Sequence, residues 1–139
     1  MKAVIEYRVP YGDTDKMGIV YYAHYFRYFE MLRNELIRNS GRSYKEIEEK
    51  DGLMFPVLEA FCEYLYPAKY DDIIQIFGEL VSIEANRFKI AYTIYEKESQ
   101  RILVKGHTIH ICISLEGKPR RLPDYLKSLL SSTKEGFSH

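Results

Sequence analysis

The chain has 139 residues, 46% of them hydrophobic, and its 20 Lys and Arg balance 20 Asp and Glu for a formal net charge of zero. That length holds one domain with a real core and is too short for two ordinary ones. A neutral field favours neither nucleic acid nor an anionic membrane, so any anionic ligand must be held locally, and no apolar run approaches the ~20 residues of a membrane span.

Residues 3–9 alternate Val4, Glu6 and Arg8 against Ala3, Ile5, Tyr7 and Val9, which predicts a half-buried strand closed by Pro10. The same start has no signal-peptide core, so a cytoplasmic protein is expected. A loop follows, with Gly18 supplying the backbone freedom of its turn. Over residues 21–39 the pattern becomes helical: His24, Arg27, Asn34 and Arg38 form one polar stripe. The remaining surface, with Tyr22, Tyr25, Phe26, Phe29, Met31, Leu32, Leu36 and Ile37, predicts a helix wrapped over most of its circumference. Gly41 ends it, and Ser43 with Glu46 reads as a capping box opening a short second helix that stops before Gly52.

The rest is largely β. Residues 56–66, 72–83, 87–97 and 101–114 are rich in β-branched and aromatic side chains, with turn signals at 84–86 and 98–100 short enough for antiparallel hairpins. A C-terminal helix is expected at 123–130 and a polar tail at 131–139. Cys62 and Cys112 are too few for a disulfide framework and are not spaced as a zinc or redox pair, so both are read as small buried residues. Segregation of this kind predicts a single α+β domain over 1–130, with one antiparallel sheet curled round one helix. No phosphate-loop sequence is present.

Asp13 and Asp15 stand two apart in the loop that enters the helix. Either can bond its own backbone as a turn-maker. Either can also stand beside the first helical turn, where unpaired N–H groups and the positive dipole end converge. A carboxylate plus oriented N–H donors is the minimum equipment for acyl transfer. Three other features invite a functional reading. His107 and His110 lie three apart in a strand and so face opposite ways, which argues against a shared metal. Glu59 interrupts an apolar strand, as an edge residue, a structural ion pair or a second carboxylate. The run Lys118 to Arg121 is either a solvated exit or a contact for phosphates.

The segment YGDTDKMGIVYYAHYFRYFE, Tyr11 to Glu30, resembles the signature of the 4-hydroxybenzoyl-CoA thioesterase-like branch of the hotdog-fold acyl-CoA thioesterases, which includes Tol-Pal-associated members. FPVLEAFCEYLYPAKYDD and KGHTIHICIS also sit where that family has them. The resemblance implies a hotdog fold, about five antiparallel strands around a long central helix, acting on an acyl-CoA without cofactor or metal. By the same resemblance Asp15 is the catalytic carboxylate, as nucleophile or general base. Gly18 is the glycine that lets the loop pass close to the thioester, and the backbone N–H of Tyr22 or its neighbour is the oxyanion donor. Asp13 falls on a variable acidic position and is read as structural. His24 departs from the commoner Asn and Tyr22 stands where several relatives have His, so His24 is only a candidate assistant. Tyr21, Glu59, Lys118, Arg120 and Arg121 are the candidate substrate contacts. A homodimer or homotetramer is implied, since a lone hotdog leaves a sheet edge uncovered. The competing expectations are a non-catalytic acyl-CoA-binding protein and a protein-interaction module.

Overall fold

The alternating segments become a single five-stranded sheet. In the computed structural model, which describes residues 2–128, the chain runs through β1 (Lys2–Arg8), a 3-10 turn (Tyr11–Asp13) and α1 (His24–Arg38). Next come α2 (Tyr44–Glu46), continued by a π-helical turn (Ile47–Asp51), then β2 (Leu53–Met54), β3 (Val57–Tyr64), β4 (Ile73–Ile83), β5 (Arg87–Glu96), β6 (Ile102–Ile111) and β7 (Ile113–Ser114). The sheet order is β1-β4-β5-β6-β3, and every neighbouring pair is antiparallel. With α1 laid across its inner face, this is the hotdog arrangement expected. Residues 124–128 are helical. The last two positions of the expected C-terminal helix, 129–130, and the expected tail lie outside the described residues.

The helix lies deep because the sheet beneath it lacks side chains where it presses. Cross-strand pairing puts Ala3, Gly78, Tyr92, Gly106 and Cys62 in one row across the inner face. Phe29 stacks flat on Tyr92, with ring centroids 4.2 Å apart and planes 7° from parallel. A Cβ on Gly106 would meet the Phe29 ring at 2.8 Å and collide with the Phe61 carbonyl, and one on Gly78 would collide with Leu32. The helix buries Tyr25, Tyr28, Phe29, Leu32, Leu36 and Ile37, spaced by threes and fours. Tyr28, absent from the expected apolar set, is fully buried, while Phe26 and Met31 are only half-buried. Tyr22 precedes the helix and is exposed, because α1 starts at His24 rather than at residue 21.

Punctuation follows the sequence closely at the second helix. Ser43 Oγ accepts from the Glu46 N–H, and Gly52 takes the left-handed cap at φ +66°. The expected strand 101–114 is broken at Cys112. There the N–H bonds the Asn86 carbonyl at 2.8 Å, and the chain beyond pairs with β2.

A buried polar chain runs beneath the helix. The Phe55 carbonyl can only accept, so His110 donates to it from Nδ1 at 2.9 Å, and Nε2 of the neutral ring accepts from the Thr108 hydroxyl at 2.8 Å. Thr108 Oγ1 then accepts from the Tyr92 hydroxyl at 2.6 Å, and Tyr92 accepts from Arg33 at 3.3 Å. Burial pushes the His110 imidazole down from 6.5 to about 4. Among the described residues no buried side-chain N or O lacks a partner.

Replacing Gly106 by Ala is expected to lower stability by about 1–3 kcal/mol, since a backbone carbonyl and a stacked ring must both shift. Gly12, where a Cβ meets nothing within 4 Å, is the control. Urea midpoints of the two Ala variants check this. The depressed His110 pKa contributes stability that is complete above pH 6.5 and lost as pH falls through about 4, a change on the order of 3 kcal/mol. Urea unfolding across pH 7 to 3.5 measures it, and His110→Gln is expected to flatten that limb of the curve.

Candidate active site

The loop between β1 and α1 is closed by its own backbone. The Asp13 N–H bonds the Pro10 carbonyl at 3.1 Å, and the Asp15 N–H bonds the Ile19 carbonyl at 2.9 Å. Gly18, at φ +77°, donates to the Asp15 carbonyl at 3.0 Å, a turn conformation that L side chains rarely adopt. The returning strand is stitched to residues 68–70: the Val20 N–H bonds the Ala68 carbonyl at 2.9 Å and the Tyr70 N–H bonds the Gly18 carbonyl at 3.3 Å. The Asp15 carboxylate accepts from the Met17 N–H through Oδ1 at 2.8 Å. Its Oδ2 has no hydrogen-bond partner among the described residues.

The start of α1 is uncapped by any side chain. The Tyr21 N–H is taken by the Asp13 carbonyl at 2.9 Å, and the His24 N–H by the Tyr21 carbonyl at 2.9 Å. The N–H groups of Tyr22 and Ala23 have no partner among the described residues. They are therefore the two free donors at the positive end of the helix. Beside them opens a cleft of about 260 Å³ lined by Ile19, Val20, Tyr22, Tyr25, Tyr64 and Tyr66, with Leu65 and Pro67. Tyr64 donates to the Tyr22 carbonyl at 3.3 Å and packs edge-on against Tyr25 at 5.5 Å. Burial, then a contact with Cys62, pushes the Tyr64 phenol up to about 12.

Under this loop, Asp13 is buried. Its carboxylate accepts from the Tyr28 hydroxyl at 2.7 Å and the Tyr7 hydroxyl at 3.2 Å, and pairs with Arg27. Burial alone would raise its pKa, but the bonds from Tyr28 and Arg27 outweigh it and hold the carboxyl below its ordinary value. Burial, then the bond to the Asp13 carboxylate, pushes the Tyr28 phenol upward.

The sequence profile of the Thioesterase-like superfamily matches residues 9–130, most of the chain. The chain belongs to that superfamily. Acyl-CoA thioester hydrolase YbgC of Escherichia coli is 31% identical over 129 residues, covering 92% of this chain and 92% of the relative. The 1,4-dihydroxy-2-naphthoyl-CoA hydrolase of Thermosynechococcus vestitus is 28% identical over 131 residues, 94% of this chain and 89% of the relative. Among solved structures, the 1,4-dihydroxy-2-naphthoyl-CoA thioesterase Slr0204 from Synechocystis superposes with a TM-score of 0.89 over 96% of this chain and 98% of its own. At 24% identity it speaks to the fold alone.

Within this thioesterase-like chain the candidate residues fall into two groups. Asp15, Gly18, Tyr21 and Tyr22 lie along the loop and the turn that leads into α1, His24 opens the helix, and the Tyr21 and Tyr22 rings meet at 4.8 Å. Here the His24 ring meets Tyr21 edge-on at 6.2 Å. Glu59, Lys118, Arg120 and Arg121 lie elsewhere. Glu59 is five residues from Tyr64 along β3, roughly 17 Å of strand, and bonds His107 Nε2 at 2.7 Å. Arg120 and Arg121 line a different cleft of about 400 Å³ with Asp51, Leu53, Ser114 and Glu116, beside the end of the π-helical turn. His107 and His110 do face opposite ways: one bonds Glu59 at the surface, the other is buried. The cleft tyrosines Tyr64 and Tyr66 were missed because they belong to the far end of β3 and the turn after it. Only their aromatic density hinted at a lining.

Proposed function

We propose that the protein is an acyl-CoA thioesterase, cleaving the thioester of an acyl-CoA with water to give the free acid and coenzyme A. The observation that carries this reading is the pairing of an Asp15 carboxylate oxygen without a partner and two unpartnered N–H groups at an uncapped helix start, seven and eight residues on in a loop held by its own backbone. In this reading the acyl carbonyl oxygen takes its hydrogen bond from the Tyr22 or Ala23 N–H. These donors are in place before reaction and cost no reorganisation as negative charge grows on the oxygen. Asp15 either attacks the carbonyl carbon or takes a proton from the attacking water. The carbon–sulfur bond then breaks and coenzyme A leaves as its thiolate, which takes up a proton; where Asp15 attacked, water then cleaves the acyl–Asp15 anhydride to release the free acid and restore the carboxylate. The tyrosine-lined cleft next to these donors is apolar enough to take the acyl or pantetheine chain. The names of the relatives agree with this reaction class.

We also propose a homodimer, alone or paired into a tetramer, built through β3. This strand is one of the two outer edges of the sheet, β1 being the other, with backbone groups unpaired on one side. It exposes Val57, Leu58, Phe61 and Tyr64 together. A long apolar edge left open is a template for a second strand. A bulge at Leu58 interrupts the pairing with β6 and leaves that side chain 51% exposed. The unpaired thiols Cys62 and Cys112 accord with a reducing compartment such as the cytoplasm. Among the described residues no helix is long and apolar enough to cross a membrane.

Thiol release from benzoyl-, short-chain and palmitoyl-CoA tests the activity. Asp15→Asn is expected to lower kcat by about 10²–10⁴-fold while its melting temperature stays within a few degrees of the wild type. Thiol release by the wild type that Asp15→Asn leaves unchanged would refute the role of this carboxylate. No release from any of the three would leave acyl-CoA binding or a partner role as the better reading. For the assembly, sedimentation is expected to give two or four copies per particle, with Leu58→Lys shifting it toward the single chain. A monomeric wild type would sink the β3 interface.

A further inference from the structure

We propose that Asp13 is a positioning residue for this reaction, holding the Tyr22 N–H in register with the Asp15 carboxylate. The inference rests on the thioesterase reading of the same site and adds to it a group that never touches substrate.

Asp13 joins three elements at one point. Its carboxylate binds β1 through Tyr7, and the second turn of α1 through Arg27 and Tyr28. Its carbonyl binds the Tyr21 N–H at 2.9 Å, and so fixes the residue immediately before the candidate oxyanion donor. Its own N–H closes the 3-10 turn on Pro10, two residues upstream of Asp15. One residue therefore ties the base-bearing loop and the donor-bearing helix start to the same strand.

The other fastenings do not do this. The bonds at Asp15, Gly18 and Val20 hold the loop to itself and to residues 68–70. The contacts of Phe29 and Leu32 hold the middle of α1 to the sheet. Between the loop and the first turns of α1 there are two ties: Tyr25, whose hydroxyl accepts from the Ala68 N–H at 3.2 Å, and Asp13, and of these Asp13 also reaches β1. A fold that needed only stability there could use apolar side chains, since replacing a buried ion pair by well-packed apolar groups is often neutral or stabilising. A charged acceptor with three directional donors holds position as well as contact.

Asp13→Asn keeps the size of the side chain and its main-chain bonds but removes the charge that orders Arg27 and the two tyrosines. A misplacement of about 1 Å between catalytic groups can cost on the order of 10²-fold in rate. Asp13→Asn is accordingly expected to lower kcat for the best acyl-CoA of the panel by about ten- to a hundredfold, with KM within about threefold. Tyr28→Phe removes one donor and leaves the ion pair in place, so it serves if Asp13→Asn does not fold. Its kcat is expected to fall by about three- to tenfold, again with KM held. A wild type that hydrolyses thioesters and loses activity in Asp15→Asn, but keeps its kcat in folded Asp13→Asn or Tyr28→Phe, would overturn this inference alone. Variants that only melt earlier, with kcat unchanged, would overturn it equally. A wild type that releases no thiol from any acyl-CoA would overturn the thioesterase reading and this inference with it.

Discussion

The depth at which α1 sits in the sheet governs everything else in this molecule. Phe29 lies flat on Tyr92 and Leu32 fills the space above Gly78, so the helix axis approaches the strands more closely than Cβ atoms at Gly78 and Gly106 would permit. Close packing of this kind admits few sliding alternatives, because moving the helix by one residue would drive Phe29 or Leu32 into a strand bearing side chains. With the middle of the helix fixed, its first turn can only emerge beside Tyr64 and the turn after β3, where the tyrosine-lined cleft opens.

Buried polar side chains among the described residues are paired, Ser114 with the Lys118 N–H included, and two clusters hold the buried His110 and Asp13. Under the helix, the run from Arg33 through Tyr92 and Thr108 to His110 has a single consistent direction of donation, with the imidazole neutral. At the start of the helix, the buried carboxylate of Asp13 does the opposite and stays charged, because Tyr28 and Arg27 offset its desolvation. The two solutions differ in cause: burial disfavours the charged imidazole despite its bond to the Phe55 carbonyl, and the bonds from Tyr28 and Arg27 favour the Asp13 anion despite its burial. Against this background the unpartnered N–H groups of Tyr22 and Ala23 stand out, since helix starts are usually satisfied by a side-chain cap.

Most of the architecture was legible in one dimension. Period-two alternation located all the long strands to within two or three residues, and the Ser43 and Gly52 signals located the second helix. These are local effects, set by which face of a strand or helix must be apolar and by which residues tolerate a left-handed turn. The candidate site was legible in part for the same reason. Asp15, Gly18, Tyr22 and His24 are close in sequence, so their proximity in space needed no tertiary knowledge. The boundary of α1 was misjudged because Tyr21 and Tyr22 look helical by composition, yet the Tyr21 N–H is bonded back to Asp13 and the helix begins beyond it.

What the sequence alone determined is the class of fold, the order of its elements and the loop that carries the candidate carboxylate, all from periodicity, turn chemistry and a dense motif. Tertiary structure decided the rest. Gly78 and Gly106 look like weak points in two strands until the helix is laid over them. Asp13 reads as a variable acidic residue until Tyr7, Arg27 and Tyr28 close around it. Arg120 and Arg121 were candidate contacts for the same substrate, but within one chain they line a cleft of their own beside the end of the second helix. Each of these depends on contacts between residues far apart in the chain, and no local pattern of side chains encodes which distant segments will meet.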